Sequence, residues 1–130
     1  MSVRFHRKCG GVVTIAVHPN DHPIDSDRVV LDEEQHVVSL HKKPHAAGLE
    51  SPNLTSAGVF ILSPSVLARV PQDRASDLMH DIVGGLVEHG EPVFGYRTSE
   101  YIKDMGTPGR YRRVALDWAE GVVRRHRLSH

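Results

Sequence analysis

Apolar residues in this chain gather in two dense runs bounded by turn formers. Val12-Val13-Thr14-Ile15-Ala16-Val17 is nearly continuous and β-branched, the pattern of a strand buried on both faces. Ser56-Ala57-Gly58-Val59-Phe60-Ile61-Leu62 is the second, and Ser63-Pro64 after it supplies an N-cap and a first-turn proline for a short helix through Arg69. Val29 to Leu31 and Val37 to His41 flank Asp32-Glu33-Glu34-Gln35, which predicts a hairpin with Val38 and Leu40 on one face. Pro92 to Tyr96 predicts a further short strand. Three stretches follow helical rules. Ser2 to Cys9 reads as the end of a helix, with basic residues near a Gly10-Gly11 stop. Ser76 caps a helix to about Gly90, with Leu78, Ile82, Leu86 and Val87 at helical spacing, although Gly84 and Gly85 cost about 1 kcal/mol each relative to alanine. Thr107-Pro108 opens a final helix with an apolar stripe of Tyr111, Ala115, Trp118 and Val122, and with Arg124, Arg125, His126 and Arg127 at the negative end of its dipole. Buried strands alternating with helices predict an α/β fold whose sheet is covered on both faces.

Composition narrows the function classes. The 130 residues suit one domain, and no internal repeat or linker divides them. Sixteen Lys+Arg balance sixteen Asp+Glu, which removes the electrostatic footprint of a nucleic-acid wrapper and leaves small-molecule or protein partners. No eighteen apolar residues run together, and the first residues lack the apolar core of a signal peptide, so no membrane span is predicted and the expected compartment is the cytosol. Cys9 is the single cysteine, which excludes an intrachain disulfide and a multi-cysteine zinc site.

Ten histidines are the unusual count. His18 and His22 bracket Pro19, and His41 and His45 bracket Pro44, so neither pair lies on a helical face as a zinc-protease pair would. They read as loop histidines. Asp21, Asp25 and Asp27 lack the glycine and terminal glutamate of an EF-hand loop and read as turn formers. Two other places carry more chemistry. In Lys42-Lys43-Pro44-His45, proline biases Lys43 to an extended backbone at a strand end, where a fixed cation suits a phosphate and an ordinary charged loop is simply solvated. In Tyr101-Ile102-Lys103-Asp104-Met105-Gly106-Thr107-Pro108, a single carboxylate precedes a capped helix. Asp104 there is placed either to hold Mg²⁺ or to accept a hydrogen bond from the Gly106 turn.

Lys43-Pro44, then Ser56 to Pro64, then Tyr101 to Pro108, in that order and spacing, resemble the second half of the sugar-1-phosphate nucleotidyltransferases. His18-Pro19-Asn20-Asp21-His22-Pro23 and Asp25-Ser26-Asp27 look most like the branch that makes GDP-activated D-glycero-D-manno-heptose, with the mannose-1-phosphate guanylyltransferases next. The resemblance implies the C-terminal, sugar-phosphate-binding half of a Rossmann-like, GT-A-like domain, a single partial domain over residues 1–130 with a mixed sheet. It implies a sugar 1-phosphate oxygen attacking the α-phosphorus of a nucleoside triphosphate, GTP favoured, with Mg²⁺ assisting and pyrophosphate leaving. In that scheme Lys43 contacts the sugar phosphate, Ser56 and Gly58 lie on the sugar-contacting strand, and Asp104 is the second metal-binding aspartate. Ser56 stands where many relatives have asparagine, and Lys42 where many have glutamate, so the sugar stays open between heptose and mannose types.

The family's first strand and its glycine-rich triphosphate loop have no counterpart here, since Gly10-Gly11 and Gly84-Gly85 sit at a helix end and within a helix. The expectation is therefore catalysis only with a complementary N-terminal chain. The alternative is a non-catalytic sugar-phosphate binder or interaction protein. A sheet deprived of its first strands is expected to leave apolar edges near Val12 to Val17 and Val59 to Leu62, favouring a partner chain or a homo-oligomer.

Overall fold

A computed structural model describes residues 3–19, 27–41, 54–99, 101–103 and 105–123. In order it contains α1 (Val3–Cys9), β1 (Val13–Pro19), β2 (Arg28–Leu31), β3 (Val37–His41), β4 (Leu54–Leu62), α2 (Pro64–Leu67), a π-helical turn (Leu78–Val83), α3 (Gly84–Glu88), β5 (Val93–Arg97) and α4 (Pro108–Ala119). The fold is mixed α/β, and it divides into two compact units, Met1–Thr98 and Ser99–His130.

In the first unit β1 is the central strand of a sheet ordered β4-β1-β5, antiparallel to β4 and parallel to β5. Every residue from Val13 to Val17 has 0% exposure. The edge expected along Val12 to Val17 is thus not an edge: a strand this apolar takes the position where both faces and both hydrogen-bonding sides are covered. Among the described residues β4 and β5 are the two edges of this sheet: the outer side of β4 pairs with no strand, and that of β5 carries only an isolated bridge from Phe94 to His36. Val13, Ile15 and Val17 point to one face and join Val93, Val29 and Val37 of the hairpin, Val66 of α2, and Ile82, Val83 and Leu86 in the main core. Full burial of such a side chain contributes about 1.5–3 kcal/mol.

The opposite face is closed by α1. Phe5 packs edge-on against Phe94 and Tyr96 of β5, with ring centroids 6.5 and 5.1 Å away. His6 satisfies the buried hydroxyl of Thr14 on β1 through Nδ1 at 2.7 Å, and its Nε2 lies 3.2 Å from Ser63 Oγ. Ser63 donates its own hydrogen to the Gly11 carbonyl at 3.3 Å, so the imidazole N–H belongs on Nε2 and Thr14 donates to Nδ1. Ser63 does occupy the N-cap position of α2, but its side chain makes no capping bond, because it serves this relay instead.

The structure corrects three details of the sequence pattern. Val38 and Leu40 do not share a buried face: Leu31 pairs with Val37 while Val30 pairs with Ser39, so Val38 is the extra residue of a bulge and is exposed, leaving Val37 and Leu40 toward the core. The helix expected from Ser76 starts after Asp77 instead. Asp77 accepts from the His80 N–H at 2.8 Å while Asp81 accepts from the Asp77 N–H at 2.7 Å, a reciprocal cap, and the first turns are π-helical before α3 begins at Gly84. The final helix ends at Ala119, because Gly121 at φ +75° supplies the left-handed stop, and the basic run from Arg124 to Arg127 lies outside the described residues. Tyr111 and Trp118 of its apolar stripe are exposed, and the buried side chain of α4 is Asp117.

Gly11, between α1 and β1, has no room for a side chain. A Cβ there would lie 2.5 Å from the Phe94 ring and 2.7 Å from the Pro92 carbonyl oxygen. The second contact is backbone, which cannot swing aside. Gly11→Ala is expected to destabilise the first unit by about 1–3 kcal/mol in urea unfolding. Gly85→Ala, where a Cβ meets nothing within 4 Å, is expected to be neutral or stabilising by up to about 1 kcal/mol.

Candidate functional site

The strand expected to contact a sugar, β4, is not a regular strand. Its partner β1 pairs Ile15 with Phe60 and Val17 with Ser56, so two steps on β1 face four on β4. The excess is absorbed at Gly58, which takes φ +77° and donates its N–H to Ser56 Oγ at 3.1 Å. Only glycine holds that φ without strain. The bulge lifts Gly58 and Val59 into solvent and leaves Ser56 and Ala57 half-buried. Ser56 accepts from the backbone here, so its own O–H remains to donate outward. Ser56 and Gly58 are therefore joined by one local hydrogen bond across the bulge.

The start of β4 is fastened to the hairpin. Thr55 Oγ1 donates to the Asp27 carbonyl at 2.8 Å, and the next residue, Arg28, opens β2 opposite His41 at the end of β3. Lys43 is two residues beyond His41. The strand end from which Lys43 departs is thus tied through Arg28, Asp27 and Thr55 to the bulged strand that carries Ser56. Lys43 and Asp104 themselves lie outside the described residues. The Asp27 carboxylate holds His80 Nε2 at 2.7 Å, which joins this corner to the π turn.

Among the described residues, Asp32, Glu34 and His36 form a potential metal-ligand group that the sequence reading took only as a turn. Asp32 Oδ1 accepts from the Glu34 and His36 N–H groups, both at 2.9 Å, and Gln35 at φ +69° turns His36 back over the carboxylates. His36 Nδ1 lies 3.4 Å from Asp32 Oδ2 and 3.6 Å from Glu34 Oε2, with its ring 4.3 Å from that of Phe94. An imidazole aimed between two carboxylates is an ion pair once protonated. Its nitrogen makes the set a poor match for Mg²⁺, which prefers oxygen donors.

The second unit has its own polar centre. Tyr101 Oη donates to Asp117 Oδ2 at 2.6 Å, and Arg113 Nε approaches Asp117 Oδ1 at 3.2 Å. This bond ties Tyr101 to α4, whose first turn is capped by Thr107 accepting from the Arg110 N–H. Nothing in the sequence pattern marks the pair, because Asp117 sits between Leu116 and Trp118 and its partner is sixteen residues away. Desolvation first, then the hydrogen bond to Asp117 and its negative charge, push the Tyr101 phenol up to about 12 against the opposing pull of Arg113.

No family model matches the chain. It is 29% identical over 120 residues to the mannose-1-phosphate guanylyltransferase of Mycobacterium tuberculosis, a match that covers 92% of this chain and 33% of that protein. The chain therefore spans about a third of the length of this curated relative. No helix among the described residues is long and apolar enough to cross a membrane.

The fold favours the neutral phenol of Tyr101, so its contribution to stability is complete below its unfolded pKa of about 10 and is lost as the pH rises toward 12. Ultraviolet titration is expected to show one tyrosine ionising near 12, absent in Tyr101→Phe and shifted downward in Asp117→Asn. A phenolate signal unchanged by Asp117→Asn would contradict the assigned cause.

Proposed function

We propose that this chain is the sugar-phosphate side of a sugar-1-phosphate nucleotidyltransferase, in a Rossmann-like, GT-A-like sheet, and that residues 1–130 are one functional part of a larger domain. The observation that carries the reading is the likeness to a guanylyltransferase along 92% of the chain. The bulged strand β4 supports it, because it offers a hydroxyl and an exposed backbone beside the strand end that leads to Lys43. The reaction is nucleotidyl transfer from GTP to a heptose or mannose 1-phosphate in the cytosol, giving a nucleotide-sugar and pyrophosphate.

Each residue has a role that its chemistry supplies. Lys43 neutralises the sugar phosphate and holds its oxygen in line with the α-phosphorus, so the charge that builds up during transfer meets a fixed cation. Ser56 donates its hydroxyl hydrogen to a sugar oxygen, and Gly58 lets the sugar approach the backbone. Asp104 offers the hard carboxylate oxygen that Mg²⁺ takes, and the ion supplies charge neutralisation on the transferring phosphate. Tyr101 and Asp117 brace the start of the loop that carries Asp104.

Nucleotide binding requires a complementary N-terminal half. Neither Gly10-Gly11, which closes α1, nor Gly84-Gly85, within α3, forms a phosphate-cradling loop. The outer side of β4 is where such a half would add its strand, since β1 is already paired on both sides and His36 bridges to Phe94 on the outer side of β5. The same two glycine pairs favour a second reading, a sugar-phosphate binder without turnover.

Pyrophosphate release from GTP with heptose or mannose 1-phosphate decides between them. The chain alone is expected to be inactive, and turnover is expected once it is mixed with the N-terminal half of a related guanylyltransferase. In the mixture, Lys43→Ala is expected to lower kcat/KM for the sugar phosphate by about a hundredfold. Asp104→Asn is expected to abolish Mg²⁺ activation. Turnover by the chain alone overturns the need for a second half, and binding without turnover in the mixture establishes the second reading.

A further inference from the structure

Between α2 and α3 the first unit contains a groove of about 500 Å³ that uses none of the residues assigned above. The volume lies within the range of small-molecule sites, roughly 300–1,000 Å³. Its walls carry Arg69, Arg74, Ser76 and His80 together with Asp81 and Glu88. One part of it is formed by the π-helical turn, a departure from regular α-helix that recurs at functional sites.

Part of the lining is held in place by neighbouring residues. Arg69 is held by Glu91 at 2.9 Å, which fixes the guanidinium while leaving further N–H donors. His80 is held by Asp27 at 2.7 Å. Asp81 Oδ2 is committed to the Asp77 N–H, which leaves Oδ1 as an acceptor. Gly85 contributes a wall with no side chain, and a Cβ built on it meets nothing within 4 Å. Two guanidinium groups suit a phosphate, yet two carboxylates beside them repel a bare phosphate dianion. Hydroxyl groups satisfy those carboxylates. The lining thus matches one chemical class that brings both.

We infer that this groove binds a monophosphate ester of a polyhydroxylated carbon skeleton, with the phosphate on Arg69 and Arg74 and the hydroxyls on Asp81 and Glu88. Arg–phosphate bonds are charge-assisted and bidentate, so they supply both the attraction and the orientation. The site is separate from the one assigned to Lys43 and Ser56, and it stands whether or not the chain takes part in nucleotidyl transfer.

Glucose 6-phosphate is the probe, followed by amide chemical shifts and calorimetry on the full chain. It is expected to shift amides of residues 74–88 and to bind at least about tenfold more tightly than either inorganic phosphate or glucose. Arg74→Gln, an exposed substitution that leaves the core untouched, is expected to weaken it by about tenfold or more. Gly85→Leu is expected to block it by occupying the groove. Undiminished binding in Arg74→Gln overturns the inference, as does equal affinity for inorganic phosphate. Binding lost in Lys43→Ala and kept in Arg74→Gln also overturns it, and would locate the ester at the strand end instead.

Discussion

One strand, β1, sets the conditions for everything else in the first unit. It is hydrogen-bonded to β4 on one side and β5 on the other, and from Val13 to Val17 it has no contact with solvent. A strand covered in all four directions cannot slip by one residue, because a slip would send Val13, Ile15 and Val17 into the α1 face and drive Thr14 into the aliphatic core. That constraint makes the polar bracket around Thr14 necessary. A hydroxyl at 0% exposure needs a partner, and His6 provides it while docking α1 onto the sheet.

The fixed strand also explains why irregularity concentrates on its neighbours. With β1 regular, extra residues must be absorbed by β4, at Gly58, and by the hairpin, at Val38. The Gly58 bulge has the clearer chemical consequence: it exposes backbone and gives Ser56 Oγ a backbone donor, the Gly58 N–H. Asp27 is the corner where these parts meet, its carbonyl held by Thr55 and its carboxylate by His80. Site and scaffold are therefore coupled by single hydrogen bonds on a rigid strand, a cheap way to place polar groups accurately.

How much of this was legible in the sequence follows from which signals are local. All five strands announce themselves, because β-branched apolar runs between turn formers have few other uses, and the Thr107-Pro108 helix start is equally plain. The sheet order was not legible. Strand pairing depends on contacts distant in sequence, so of the two edges expected, Val12 to Val17 proves to be the central strand while Val59 to Leu62 does lie on an edge. Val38 shows the same limit, since one inserted residue reverses alternation without changing composition. Asp117 shows another: a carboxylate in an amphipathic helix looks solvated until its partner Tyr101 is known. Of the candidate site, Ser56 and Gly58 were named through resemblance alone, and the structure adds the bulge that joins them.

If β1 is complete and β4 is an unpaired edge, the two strands must differ in how their amides are protected. Hydrogen exchange read residue by residue measures that difference directly. In the chain alone, the amides of Val13 to Val17 are expected to exchange only through global unfolding, while the β4 amides that face away from β1 exchange rapidly. Adding the complementary N-terminal half is expected to protect those β4 amides and leave β1 unchanged. Full protection of β4 on both sides in the chain alone, or rapid exchange in β1, would contradict this account.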